Sequence, residues 1–232
     1  MYNQPNRLKY LEVVNAFSQK LINCNAENEI VWAIAKHAIA QLGYVDCIVY
    51  LFDEHKEVLV QKAAHGPKNP VEFDIKNPIT LKVGQGICGN VFETGIGEVI
   101  KDTSNDSRYH IDDDTRLSEI TIPVKIGKKT IGVIDSEHPE KGFYNDLDFE
   151  ILTTIANLAG VKLSQIKTQE ELKKHKEALE IKVLEQKLKL KKSVYKLKIS
   201  HNELTDKISE NETLLKEVHH RVKNNLKLFT VC

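Results

Sequence analysis

The stretch SEITIPVKIGKKTIGVIDSEHPEKGFYNDLDFEILTTIANLAG, residues 118–160, predicts two strands followed by a helix. Residues 120–125 and 130–135 are rich in β-branched side chains, and the short turn IGKK joins them. From Asp146 onward apolar residues recur at threes and fours, as in an amphipathic helix. Strands joined by a short turn favour an antiparallel sheet, so the expected fold class is α+β.

The residues before this stretch add further helices and strands. Apolar spacing predicts one helix at residues 7–21, and Asn25 as N-cap with Gly43 as the left-handed terminator delimits a second. The polar segment 102–115 is long for a loop in a compact domain, which makes it either a lid or a mobile segment. Further strands are predicted at residues 46–52, 58–63, 79–83 and 98–101, and a short helix within GQGICGNVFETG, residues 84–95.

Composition divides the chain in two. Its 232 residues are 41% hydrophobic and 28% charged, which excludes a wholly disordered or fibrous protein. The net charge of zero argues against an overall basic nucleic-acid-binding protein, but residues 1–162 carry 17 basic and 23 acidic side chains while residues 163–232 carry 16 and 10. All 11 glycines and 6 prolines lie at or before Gly160. We therefore expect an acidic globular region followed by a basic helical one.

No apolar run is long enough to span a bilayer, and the first ten residues lack the apolar core of a signal peptide. We therefore expect a cytoplasmic protein without a membrane span. Cys24, Cys47, Cys88 and Cys232 show neither a CxxC pair nor the spacing of a secreted framework, so we expect reduced thiols. No residue is assigned as a metal ligand.

The segments GQGICGNVFETG, VIKDTSNDSRYH (residues 99–110) and the stretch quoted first together resemble a GAF domain, a sensing module of signalling proteins. The resemblance covers about residues 20–165. It implies a six-stranded antiparallel sheet with flanking helices and a pocket for an unknown small molecule, roofed by residues 84–118. Residues 1–165 are assigned to this domain, with the helix at 7–21 as an N-terminal extension.

The same segments also resemble free methionine-R-sulfoxide reductase, a GAF-based enzyme that needs an attacking and a resolving thiol. Cys88 matches one of its cysteine positions, but Asp113 stands at the catalytic position and Pro78 and Ile79 stand where the remaining cysteine is expected. A carboxylate cannot replace a sulfur nucleophile. A relative of this reductase is therefore the less favoured alternative.

The reductase resemblance implies that Cys88, Glu119 and Asp135 contact a pocket ligand, because Glu119 and Asp135 match its substrate-contacting acidic positions. Other roles remain open from the residues alone. An acidic residue at a strand end also caps backbone N–H groups. Cys88, at a helix start, is either a thiol of lowered pKa that senses oxidants or a small buried apolar residue.

Residues 166–211 are Lys- and Glu-rich, with apolar residues at alternating threes and fours, which predicts a coiled coil. His201 and Asn211 interrupt its apolar seam, and the frame shifts between Val183 and Leu190. A helix on the order of 100 Å long needs a partner, and the simplest is a second copy in a parallel homodimer. A purely structural stalk would have the same pattern. The seam residues are Leu190, Val194, Leu197, Leu204, Ile208, Leu215, Val218 and Val222.

The sequence LLKEVHHRVKNNLKLF, residues 214–229, resembles the phosphoacceptor segment of the sensor histidine kinases whose H-box reads H-R-x-K-N. A phosphoacceptor histidine must be exposed, with a neutral imidazole nitrogen and cations nearby. The resemblance makes residues 212–232 the start of a dimerisation and phosphoacceptor helix; an adventitious metal or surface pair of adjacent histidines is the alternative. It implies His220 as acceptor, Glu217 as proton acceptor, Arg221 and Lys223 as cations, and Asn224 as a hydrogen-bonding neighbour.

Only twelve residues follow His220, and a segment without glycine cannot form a glycine-rich nucleotide loop. We therefore expect the ATP-binding domain, with ATP and Mg²⁺ as its cofactors, to lie outside this chain. The chain is then either part of a longer kinase or a truncated product, and we expect it to be inactive alone. The expected partners are a second copy, a response-regulator receiver domain and a small-molecule ligand, but no nucleic acid. A non-catalytic dimeric scaffold is the other alternative.

Overall fold

The structure is a computed structural model that describes residues 4–68, 73–110 and 114–229, with side chains described from residue 8 to residue 223. The chain divides into two compact units, Met1–Glu170 and Glu171–Cys232. The first contains a sheet with its helices, and the described residues of the second are helical. Within the described residues, no helix has both the length and the apolar character needed to cross a membrane.

The first unit is built on one six-stranded sheet in which every neighbouring pair is antiparallel, with the order β3-β2-β1-β6-β5-β4. This confirms the predicted α+β class and the strand number. β6 extends three residues beyond its predicted end at Asp135, and this extension contributes to the site described below. The strands are β1 (Cys47–Asp53), β2 (Val58–His65), β3 (Thr80–Lys82), β4 (Glu98–Ile100), β5 (Ser118–Ile126) and β6 (Lys129–His138).

The helices are α1 (Gln4–Ile22), α2 (Glu27–Trp32), α3 (Ala40–Leu42), α4 (Gly86–Thr94) and α5 (Asp146–Phe229), with a π-helical segment, Ala33–Ile39, between α2 and α3. Gly43 ends α3 in the left-handed conformation, as predicted. The prediction that Asn25 caps α2 is wrong. The N-cap is Ala26, without a side-chain hydrogen bond, and the Asn25 backbone N–H instead donates to the Glu29 carboxylate at 2.6 Å.

The sheet has a core on each face, because side chains alternate along the strands. The larger core joins the sheet to α1, α2 and α5 and contains Ile120, Ile122 and Ile134. The smaller core lies against α4 and contains Tyr50 and Val133. Polar residues on β5 and β6 that point to the same side as the smaller core therefore face a cavity under α4.

Candidate functional site

A cavity of about 200 Å³ lies on the α4 side of the sheet. Its floor comes from β5 and β6, where Glu119 is opposite Glu137 and Thr121 is opposite Asp135. The side chains of Glu119, Asp135 and Glu137 are buried, with residue exposures of 4%, 6% and 4%. Like charges on directly opposed strand positions destabilise a sheet, so this floor requires protons or cations.

Glu119 and Asp135 lie side by side at the centre of the floor, in contact with the same hydroxyl group. Burial raises the pKa of Glu119 well above its usual value, and the charges of Asp135 and Glu137 raise it further. Burial also raises the pKa of Asp135. The Thr121 hydroxyl oxygen lies 3.0 Å from Glu119 Oε1 and 2.8 Å from Asp135 Oδ1. Since a hydroxyl has one proton, it can donate to only one of the two carboxyl groups.

The positively charged group at this floor is the ammonium group of Lys68, which lies in the turn Gly66–Lys68 after β2 and forms a salt bridge with Glu137. Burial lowers the pKa of Lys68, but Glu137 and Asp135 outweigh that effect and raise it. Burial and Asp135 raise the pKa of Glu137 to about 8, against the opposing effect of Lys68. Gly66 allows the turn, since its φ is +79° and a Cβ there would lie 2.2 Å from the Val45 carbonyl oxygen.

Cys88 enters the cavity from the first turn of α4 and is 7% exposed. Its sulfur and one carboxyl oxygen each of Glu119 and Asp135 all lie within 4.8 Å of one another. Burial raises the pKa of the Cys88 thiol well above its usual value, and Asp135 and Glu119 raise it further. This direction is opposite to the lowered pKa that an oxidant-sensing thiolate needs.

Arg108 connects the segment 108–110, which lines one side of the cavity, to neighbouring elements through hydrogen bonds. Its guanidinium forms paired hydrogen bonds with Glu98, at 2.7 and 3.1 Å, and with Asp106, at 2.8 and 3.0 Å. A further bond of 3.1 Å reaches Asn90 on α4. The neighbouring residues Tyr109 and His110 also line the cavity. Part of the predicted lid is thus tied to α4 and β4, while its residues 111–113 lie outside the described part of the chain.

The structure brings together the three pocket residues named from the sequence, Cys88, Glu119 and Asp135. Sequence reasoning missed Lys68 and Glu137. Glu137 had a usable signal, because residues two apart on a strand point to the same side and Asp135 had already been selected. Lys68 had none, since the close approach of its turn to β6 depends on tertiary structure.

The cysteine positions of the reductase resemblance are only partly filled. Ile79 lines the cavity, and Cys88 supplies the one thiol among the described lining residues. Cys24 and Cys47 are free thiols buried in the larger core, on the other face of the sheet. Asp113 lies outside the described residues.

In the second unit, His219 and His220 are exposed on α5. Glu217 Oε1 accepts a hydrogen bond of 2.6 Å from Arg221 Nη2, one helical turn further on. Lys223 is exposed, and the side chain of Asn224 lies outside the described side chains. All eight seam residues are more than half exposed, from 51% for Val222 to 72% for Leu197.

Comparison with known proteins agrees with this fold. Protein YtsP of Bacillus subtilis (strain 168) is 29% identical over 87 residues, which is 38% of this chain and 53% of that protein, so the matched region spans about half of the relative's length. The structure of free methionine-R-sulfoxide reductase from Neisseria meningitidis, in complex with its substrate, superposes with a TM-score of 0.62 at 19% identity, over 69% of this chain and 91% of that one.

A GAF domain from a Coxiella burnetii phosphoenolpyruvate-protein phosphotransferase superposes with a TM-score of 0.63 at 14% identity, over 71% of this chain and 98% of that one. Identities at this level show a shared fold. The family model described as GAF domain matches residues 24–164, more than half of the sequence. The chain therefore belongs to the GAF domain family.

Proposed function

We propose that this chain is the sensory and phosphoacceptor part of a two-component histidine kinase, in which the GAF cavity is the input site and His220 accepts the phosphoryl group. The observation that carries the proposal is that one helix, α5, contains both residues of the GAF core and the H-R-x-K-N segment around His220. A GAF domain alone is compatible with many functions. The phosphoacceptor-like segment is what favours this one.

The cavity floor favours a cationic ligand. Three buried carboxyl groups, those of Glu119, Asp135 and Glu137, face one ammonium group, that of Lys68. Burial raises the pKa of Glu119 and Glu137 and so keeps protons on this floor near neutral pH. A cation can displace those protons and bind the carboxylates, whereas an anion would compete with them for the single ammonium group of Lys68. A cation would relieve the repulsion between the facing carboxyl groups.

The strands of the floor offer a route from the cavity to α5. Glu119 lines the cavity and the Thr121 hydroxyl contacts it from the same side of the strand. The alternating residues Ile120 and Ile122 lie in the larger core, which also contains Leu152 and Ile155 of α5. A ligand that draws β5 and β6 together moves both faces of these strands, because packed cores transmit displacement. Ligand binding would thereby bias the position of α5, a two-state change with His220 as its output.

The test supplies an ATP-binding domain of the H-R-x-K-N kinase subfamily in trans, with ATP and Mg²⁺, and measures acid-labile phosphate on the full chain. We expect labelling of the wild type and of His219→Ala, and its loss in His220→Ala. The two variants are matched, because both remove an exposed histidine from the same helical turn.

Label that persists in His220→Ala, or no label on the wild type with a catalytic domain that phosphorylates its own acceptor helix, would contradict the proposal. The second result would favour a non-catalytic dimeric scaffold. Reductase activity is not proposed, because a thiol cycle needs two sulfur atoms and the described lining of the cavity offers only Cys88.

A further inference from the structure

We infer that the GAF cavity binds a divalent transition-metal ion through Cys88, Glu119 and Asp135. This inference rests on the proposed function in one respect, since it names the class of cation that the input site takes. It is tested by metal binding alone, without phosphoryl transfer, so the two proposals can fail separately.

The geometry brings three donor atoms together from three different elements. Cys88 comes from α4, Glu119 from β5 and Asp135 from β6, and the sulfur and the two carboxyl oxygens lie within 4.8 Å of one another. Zinc lies about 2.3 Å from a thiolate and about 2.0–2.2 Å from a carboxylate oxygen. In tetrahedral coordination two such donors on one ion are about 3.4–3.6 Å apart, so the three donor atoms, which lie within 4.8 Å of one another, would approach by up to about 1.4 Å on binding.

The charges in the cavity provide a second, independent argument. Among the described residues, neither Glu119 nor Asp135 forms a salt bridge, because the Lys68 ammonium pairs with Glu137. The Thr121 hydroxyl is the donor shared by the two carboxyl groups and has one proton for both. Both residues are more than nine-tenths buried and line the cavity. Buried carboxylates are normally paired with cations or bound to metals. Lys68 forms its salt bridge with Glu137 and acts on Asp135 through its charge, so among the described residues one nearby ammonium group serves three carboxyl groups.

The donor set selects the kind of metal. Mg²⁺ and Ca²⁺ prefer oxygen ligands, whereas a thiolate with carboxylates suits Zn²⁺, Co²⁺ or Fe²⁺. On binding, the Cys88 S–H proton and any proton held by the carboxyl pair pass to solvent, a metal–sulfur bond forms, and no oxidation state changes. Three protein ligands leave a coordination position open towards the cavity, as in metal sites that exchange water for a small ligand.

The experiment titrates the reduced, metal-free full chain with Co²⁺ and records its absorption spectrum. We expect one Co²⁺ per chain and a thiolate-to-cobalt charge-transfer band that Zn²⁺ abolishes by displacement. Cys88→Ser should lose the band, while Cys24→Ser, which alters an equally buried thiol on the other face of the sheet, should retain it. Glu119→Gln and Asp135→Asn should each weaken binding by at least about tenfold.

Circular dichroism of each variant establishes that it is folded, and the near-isosteric Glu119→Gln keeps the inference testable if Cys88→Ser unfolds. A band that survives in folded Cys88→Ser would overturn the proposal. So would a folded wild type that takes up no Co²⁺ or Zn²⁺, an outcome that points to an organic cation such as a protonated amine. Binding by His219 and His220 is distinguished because it gives no thiolate band.

Discussion

At the scale of single residues, Glu137 links the stability of the GAF unit to pH. Its pKa in the folded protein is raised to about 8, mainly by burial, whereas in the unfolded chain it is about 4.3. Between these values the folded state binds more protons than the unfolded state, so stability falls as pH rises. The contribution is fully present below about pH 4.3 and is lost once pH passes 8. For one proton the slope reaches about 1.4 kcal/mol per pH unit.

We therefore expect Glu137→Gln to flatten the fall in stability between pH 5 and 8. Urea unfolding at several pH values gives the unfolding free energy of the wild type and of the variant. Subtracting one from the other at each pH removes the contributions of titrating groups that the two proteins share. Glu140→Gln is the matched control, because it alters an exposed carboxyl group on the same stretch of chain. Equal slopes for the wild type and Glu137→Gln would refute the assignment of the pH dependence to this residue.

The same residues show how far sequence reasoning reaches into a site. Family resemblance selected Glu119 and Asp135, but Glu137 was missed because the predicted strand ended at Asp135, two residues before it. The end of β6 could not be anticipated, because the Glu137 backbone N–H is held by Asp46 Oδ1 at 2.8 Å, and Asp46 is 91 residues away in the chain. Arg116 binds the other oxygen of Asp46 at 3.3 Å. Such long-range polar contacts have no local pattern in the sequence.

At the scale of elements, Gly160 permits the close packing of α5 on β5. A Cβ at this position would lie 2.0 Å from the carbonyl oxygen of Lys125. In an exposed helix, replacing glycine by alanine stabilises by about 1 kcal/mol. Here the overlap should dominate, and overpacking of this kind costs about 1–3 kcal/mol. We expect Gly160→Ala to lower the unfolding free energy of the GAF unit, as measured by urea denaturation.

Asn157→Ala provides the control, because Asn157 is exposed on α5 one turn earlier. It should leave stability unchanged or raise it slightly, through helix propensity alone. If Gly160→Ala stabilises the protein as much as Asn157→Ala does, the close approach of α5 to Lys125 is not a constraint on the fold.

The elements themselves were largely predictable, since alternation and turn residues are local signals. Strands β1, β2, β5 and β6 have long runs of apolar or β-branched residues, and the structure confirms them. The helix after Asn25 was predicted as one continuous element, but its centre is the π-helical segment Ala33–Ile39. The apolar residues that predicted this helix recur every four residues, a spacing between the 3.6 residues of an α-helical turn and the wider turn of a π-helix, so the pattern could not distinguish them. Asn25 does not cap the helix: the N-cap position belongs to Ala26, and the Asn25 side-chain amide donates to the Asn23 carbonyl oxygen at 3.0 Å.

At the scale of the whole molecule, the acidic and the basic parts of the sequence differ in whether their apolar side chains are buried. The acidic GAF unit buries its apolar residues in two cores. The basic helical unit leaves its seam residues exposed on a single chain. Fully burying a leucine or valine side chain contributes about 1.5–3 kcal/mol, so eight of them form a strong drive for association. The heptad spacing suits a second parallel copy.

We therefore expect the full chain to sediment as a dimer and Leu204→Lys to dissociate it, because two lysines would be placed in the seam at the same level. The dissociation constant should rise by at least about tenfold, which corresponds to about 1.4 kcal/mol.

Tyr195→Lys is the matched control: Tyr195 is 67% exposed, compared with 59% for Leu204, but lies off the seam, so this variant should remain dimeric. If both variants dissociate, the chains are held together by apolar surface in general and not specifically by the heptad seam. If the wild type sediments as a monomer at micromolar concentration, the seam residues of this chain do not form the predicted coiled coil, and a phosphoacceptor helix of the kind proposed for His220 would lack its dimeric framework.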